Sequence, residues 1–172
     1  FYYDVRYVCE NGLMNGTSGS TFSPLENLTR AQLTAVLYRM DGSPAVSGTC
    51  SFTDAKRGAY YADALVWAER NALVNGYGSG AFGVGDAITR EQLVTILYRY
   101  AAYKGIDVSA RADLSGYRDA EKISGYARDA FGWAVEAGLI RGSGDLLNPQ
   151  GRTTRAEYAA IAARFHKTFI AK

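Results

Sequence analysis

Three stretches of this chain carry apolar side chains at helical spacing: Leu33, Val36, Leu37, Met40; Leu93, Ile96, Leu97, Tyr100; and Tyr158, Ile161, Ala162, Phe165. Residues at i, i+3, i+4 and i+7 share one helix face, so each stretch predicts an amphipathic helix. The same kind of tetrapeptide opens each one: Thr29-Arg30-Ala31-Gln32, Thr89-Arg90-Glu91-Gln92 and Thr154-Arg155-Ala156-Glu157. Threonine followed three residues later by Gln or Glu is a capping box, in which each side chain satisfies the other residue's backbone N–H. The arginine has no such reason to be there. A cation in the first helical turn meets the positive end of the helix dipole and costs roughly 0.3–1 kcal/mol at an exposed site. Its recurrence in three copies calls for a compensating anion. That anion is either a carboxylate of a neighbouring repeat or a carboxylate or phosphate of a ligand.

Other features recur in the same order between these landmarks, which makes the chain a tandem array. A first-helix pattern appears at Tyr60–Ala68 and Tyr126–Ala134, and without its tryptophan at Phe1–Cys9. Ser124 is the expected cap of the third copy. Each first helix ends in a shared pattern, in which Gly12 and Gly138 suit a left-handed C-terminal position and Ala72 predicts a different ending. A Gly/Ser loop follows, closed by Phe22, Phe82 or Leu147 acting as a plug. These loops read as turns: no Gly-Lys-Ser/Thr follows and no strand precedes, so a phosphate cradle is not indicated. An aromatic-x-aspartate precedes the second and third copies as Phe52-Thr53-Asp54 and Tyr117-Arg118-Asp119. The boundaries fall at 1–48, 49–113 and 114–172. One helix-loop-helix has too little core to stand alone, so the repeats are expected to pack together through the three arginine-led helices.

Composition narrows the function. The net charge of the 172 residues is +2 and no polybasic run occurs, so bulk nucleic-acid or membrane-surface binding is not expected. No apolar run approaches a membrane span. Tyrosine is abundant, 13 copies against 7 Phe, which suits binding surfaces. The chain starts at Phe1 with no signal-peptide pattern and reads as a piece of something longer. Cys9 and Cys50 stand either as one disulfide of an exported chain or as two buried thiols. An enzyme is not indicated. His166 is the only histidine and reads as solvent-facing, and no catalytic set, metal-ligand cluster or cofactor motif is present. Asp54 and Asp119 could be drawn as an acid/base pair, but their shared repeat position fits a structural job better, capping a helix or pairing with an arginine.

The ordered set of aromatic-x-Asp, Trp-Ala, Gly-Leu/Ile-x-x-Gly, Phe-x-Pro and Thr-Arg-Ala-Glu resembles the S-layer homology domain, in three tandem copies with the first truncated at its N-terminus. The resemblance implies a mainly α fold, three helix-loop-helix repeats in a pseudo-threefold spindle with a shared helical core and grooves between repeats. It also implies a non-catalytic module, extracellular on the bacterial cell wall or S-layer, that attaches the remainder of a larger surface protein to wall polysaccharide, often one bearing pyruvylated N-acetylmannosamine. A pyruvate ketal carries a carboxylate that Arg30, Arg90 or Arg155 can hold bidentately. Trp67 and Trp133 would offer ring faces, and Gly76, Gly78, Gly142 and Gly144 would let backbone amides approach the ligand. Asp54 and Asp119 complete the candidate contacts. The copies depart from the family pattern in Gln32 for Glu, Thr-Arg-Glu-Gln in the second copy, and Val84 for Pro. Unequal grooves are therefore expected. A protein-binding scaffold of the same fold is the competing expectation.

Overall fold

The computed structural model describes residues 1–171. The described residues form six α-helices: α1 Tyr2–Glu10, α2 Arg30–Met40, α3 Ala62–Arg70, α4 Arg90–Tyr103, α5 Arg128–Glu136 and α6 Arg155–Phe165. The fold is mainly α; pairing outside the helices is limited, among the described residues, to isolated bridges. Short 3-10 turns lead into α5, and α6 runs on into a π turn at His166–Ile170.

The arginine-led helices start as their sequence predicts. Thr29, Thr89 and Thr154 accept from the N–H of Gln32, Gln92 and Glu157, whose side chains return to the cap N–H in all three copies. The earlier N–H groups of the first turn also have partners. Arg30 donates to the Asp86 carbonyl at 3.0 Å, Arg90 to Gly151 at 2.9 Å and Arg155 to Glu26 at 2.8 Å. Glu91 and Ala156 donate to the carbonyls of Pro149 and Pro24, each at 3.0 Å. Four N–H groups go unpaired at a bare helix start. Here a side-chain cap closes one side of the turn and an incoming loop closes the other.

The molecule contains two compact units, residues 1–87 together with the chain from Thr154 onward, and residues 88–153. In the first unit α2 packs on α3 and α1 packs on α6; in the second, α4 packs on α5. The apolar stripes are buried as expected, but the principal partner of each arginine-led helix is the first helix of another repeat, not a second arginine-led helix. On α2, Ala31, Thr34 and Ala35 are buried beside Leu33, Val36, Leu37 and Met40, so burial extends beyond one stripe. No repeat closes a core by itself, consistent with the small apolar area one helix pair can bury.

The first helices all end in the same way. Leu13, Leu73 and Leu139 donate to the carbonyls of Val8, Ala68 and Ala134, closing a Schellman motif over a buried leucine. The residue before each leucine is left-handed: Gly12 at φ 66°, Gly138 at φ 68° and, against the sequence expectation, Ala72 at φ 54°. The two hydrogen bonds and the buried leucine hold the alanine in a conformation that glycine adopts without a Cβ clash. Ser124 does not cap its turn; its hydroxyl donates to Glu91 instead. Cys9 and Cys50 are both free, so neither the disulfide nor the pair of buried thiols is realised. Cys9 lies on the exposed side of α1, where only Val8 is buried, and Cys50 is half-buried.

Candidate ligand site

The arginines and aspartates meet at the loops. Arg30 Nε donates to the Phe82 carbonyl at 2.8 Å and its Nη2 to Asn75 at 2.9 Å. Arg90 makes the same pair with Leu147 at 2.8 Å and Arg141 at 3.3 Å, and Arg155 with Phe22 and Asn15, both at 2.8 Å. The guanidinium carbons of Arg30 and Arg155 also lie over the rings of Phe82 and Phe22 at 4.5 and 4.7 Å. The compensating negative charge for a cation at a helix start is therefore, in each copy, a pair of loop carbonyl dipoles.

The aspartates grip the same loops from the other side. Asp54 accepts from the N–H groups of Phe82, Gly83 and Val84 at 2.7, 2.8 and 2.9 Å. Asp119 accepts from Leu147 and Asn148 at 2.8 and 2.7 Å. One residue, Phe82 or Leu147, thus gives its N–H to an aspartate while its own carbonyl accepts from an arginine. Burial pushes both carboxyls up, but the backbone N–H groups together outweigh it and hold both pKa values below the ordinary aspartate value. The acid/base reading of Asp54 and Asp119 has no support in this arrangement, in which each carboxylate is occupied by its own loop.

Two further groups of candidates are placed otherwise than expected. Trp67 and Trp133 are 2% exposed. Trp67 packs against Tyr38 and donates its indole N–H to Asp41 at 3.1 Å, and Trp133 packs edge-on to Tyr98. Their faces are spent inside the protein, so they offer no platform for a sugar. Gly76 and Gly142 are required by packing. A Cβ at Gly76 would meet the Phe52 ring at 2.9 Å, and one at Gly142 the Tyr117 ring at 2.7 Å. The aromatic of each aromatic-x-Asp therefore seats on the loop that its aspartate holds. Gly78 and Gly144 border open space and retain room for an approaching group.

One cavity of about 370 Å³ opens in the first unit. Its walls are the loop at Met14–Thr17, the side of α2 bearing Gln32 and Arg39, Tyr60 and Arg155. Two guanidinium groups line it and no carboxylate does. Arg155 is nearly covered, and burial pushes its pKa down, with Glu26 the main opposing influence; arginine remains charged regardless. Arg39 donates to the Leu13 carbonyl at 3.2 Å. Tyr60 is 61% exposed and lies in the field of Arg155 and Arg39.

Sequence reasoning placed Arg155 here and missed Arg39, Gln32 and Tyr60. A signal existed: Arg39, Arg99 and Arg164 recur at one position of the three helices. A cation near a helix C-terminus suits the dipole, so nothing marked these as unusual. His166 is not simply solvent-facing: its Nδ1 and the Tyr7 hydroxyl share a hydrogen bond at 2.9 Å, linking the turn after α6 to α1. Among the described residues no cluster of His, Cys, Asp or Glu could hold a metal ion, and no helix is long and apolar enough to cross a membrane.

Comparison with known proteins adds an independent line. A family model described as the S-layer homology domain matches residues 1–34, 51–94 and 116–159. An endoglucanase of Bacillus sp. (strain KSM-635) is 32% identical over 158 residues, covering 91% of this chain and 17% of that protein. The S-layer protein sap of Bacillus anthracis is 26% identical over 167 residues, 96% of this chain and 20% of that protein. A cellulosome-anchoring protein of Acetivibrio thermocellus is 26% identical over 162 residues, 88% of this chain and 34% of that protein. The chain thus spans a minor part of the length of these relatives.

Proposed function

Because the chain belongs to the S-layer homology domain family, and so is a cell-surface anchoring module, we propose that it holds an acidic cell-wall polysaccharide in the cavity beside Arg155. The relatives include surface-layer and anchoring proteins as well as enzymes, which share with this chain only a small part of their length. The module therefore acts at the cell wall and carries a larger surface protein, while any catalysis belongs to other parts of such proteins.

The observation that carries the polysaccharide reading is the charge of the cavity, two arginines without a carboxylate. A sugar bearing a ketal carboxylate, such as pyruvylated N-acetylmannosamine, would meet Arg39 and Arg155 as anion partners and Gln32, Tyr60 and the Asn15–Thr17 backbone as hydrogen-bonding groups. The volume suits one or two sugar rings within the range of ordinary ligand pockets.

Calorimetric titration of the whole chain with wall-polymer fragments, with and without the ketal carboxylate, tests this. The carboxylated fragment is expected to bind, and Arg39→Ala to weaken it by one to two orders of magnitude, the usual worth of a charge-assisted contact. Equal affinity for both fragments removes the carboxylate from the reading. Failure to bind either one makes the protein-binding scaffold the better account.

A further inference from the structure

The residues around Tyr60 and Tyr126 occupy equivalent positions of their repeats, yet their hydroxyl groups are committed differently. Tyr60 lines the cavity together with Gln32, Arg39 and Arg155, and no carboxylate lines it. No acidic group of the cavity therefore claims the phenolic O–H of Tyr60. Tyr126 faces a carboxylate instead. Its hydroxyl lies 2.9 Å from Glu91 Oε1, and an ionised carboxylate can only accept, so Tyr126 must donate to it. The same carboxylate accepts from the Ser124 N–H at 3.1 Å and hydroxyl at 3.0 Å, and Glu91 is 4% exposed. In the first copy the residue at the Glu91 position is Ala31, which carries no charge.

We infer that Glu91 is a specificity-determining residue that denies the Tyr126 surface to acidic ligands and confines them to the Tyr60 cavity. It acts in two ways. It consumes the hydroxyl donor that a ligand carboxylate would need, and it places a fixed negative charge behind that hydroxyl, where low solvent access leaves it poorly screened. A neutral ligand is not repelled by that charge, so the Tyr126 surface can differ from the Tyr60 cavity in the class of sugar it accepts. The inference rests on the acidic-polysaccharide reading above.

Titration with the carboxylated wall-polymer fragment tests it on the intact chain. Tyr60→Phe is expected to weaken binding roughly tenfold or more, and Tyr126→Phe to leave it unchanged. Glu91→Gln keeps the shape of the side chain and an oxygen acceptor for Ser124, and is expected to add a second binding event or raise the affinity for the carboxylated fragment alone. Glu91→Ala, which restores the first-copy residue, is expected to do the same provided its circular dichroism stays native. Loss of affinity in Tyr126→Phe equal to that in Tyr60→Phe overturns the inference, as does a Glu91→Gln protein that folds and binds like wild type. If wild type does not bind the carboxylated fragment at all, the polysaccharide reading fails and takes this inference with it. That outcome is distinct from the other two, in which wild type binds.

Discussion

The loops ending at Phe82 and Leu147 are held from two sides, by an aspartate at their N–H groups and an arginine at their carbonyls. At the loop ending at Phe22, Arg155 makes the same carbonyl contacts and also lines a cavity. The difference separates two jobs that the recurrent arginine performs. At Phe82 and Leu147 it is one half of a clamp. At Phe22 the same contact is made by an arginine that also forms part of a cavity wall. A residue that looks purely functional by recurrence is thus structural in every copy and has room for a second role in one.

The comparison is broken most sharply by removing the aspartate. Asp54→Ala leaves three loop N–H groups without their acceptor and is expected to cost about 3 kcal/mol in urea unfolding, within the range for losing charge-assisted hydrogen bonds to a half-buried group. Acid does the same more gradually. The folded pKa values of Asp54 and Asp119 are depressed, so their stabilisation is complete above the unfolded aspartate value near about 3.9 and is lost as pH falls through the lower folded values. Asp54→Asn combined with Asp119→Asn is expected to flatten the fall in stability between about pH 4 and pH 2. An unaltered acid profile would show that other carboxylates govern it.

Removing the arginine is expected to cost less, about 2 kcal/mol for Arg30→Ala, because loop carbonyls recover water more readily than a buried amide finds a new acceptor. Thermal melts of Arg30→Ala and Arg155→Ala should both show a loss. A more stable Arg155→Ala protein would mean that its charge is held uncompensated for a ligand. Thr89→Ala removes a cap and is expected to cost about 1 kcal/mol with fragment binding unchanged. Thr29→Ala should cost a similar amount, since it breaks the equivalent capping box. The smallest effect is a gain: Ala72→Gly relieves a left-handed alanine and is expected to stabilise by about 0.5 kcal/mol, after the added chain entropy of glycine.

Much of this was legible in the sequence. The capping boxes, the buried stripes and the left-handed Gly12 and Gly138 follow from local rules that a short window contains. Ala72 was not legible, because a hydrophobic contact by Leu73 and two backbone bonds override a residue preference of about a kcal/mol. The partners of the arginines were not legible either: backbone carbonyls have no sequence signature, so recurrence suggested an anion where a folded loop supplies the charge. Trp67 and Trp133 misled because tryptophan is equally suited to a sugar platform and to a core. Arg39 and Tyr60 join one cavity only through the packing of α2 on α3 and the arrival of α6, which no local pattern encodes.

The pairing of α1 with α6 carries a consequence in time. Arg155 binds Asn15 and Phe22 across most of the chain, so the first helix lacks its main helix partner until the last repeat has been made. During synthesis and export α2 with α3 and α4 with α5 can assemble as neighbours in sequence, while α1 waits. Closing so long a loop carries an entropy cost before any contact repays it, which makes this the slow step of folding. The cavity beside Arg155 is therefore expected to be the last part of the molecule to form, and a nascent chain stopped before Arg155 should leave α1 open to protease while α2 and α3 are already protected.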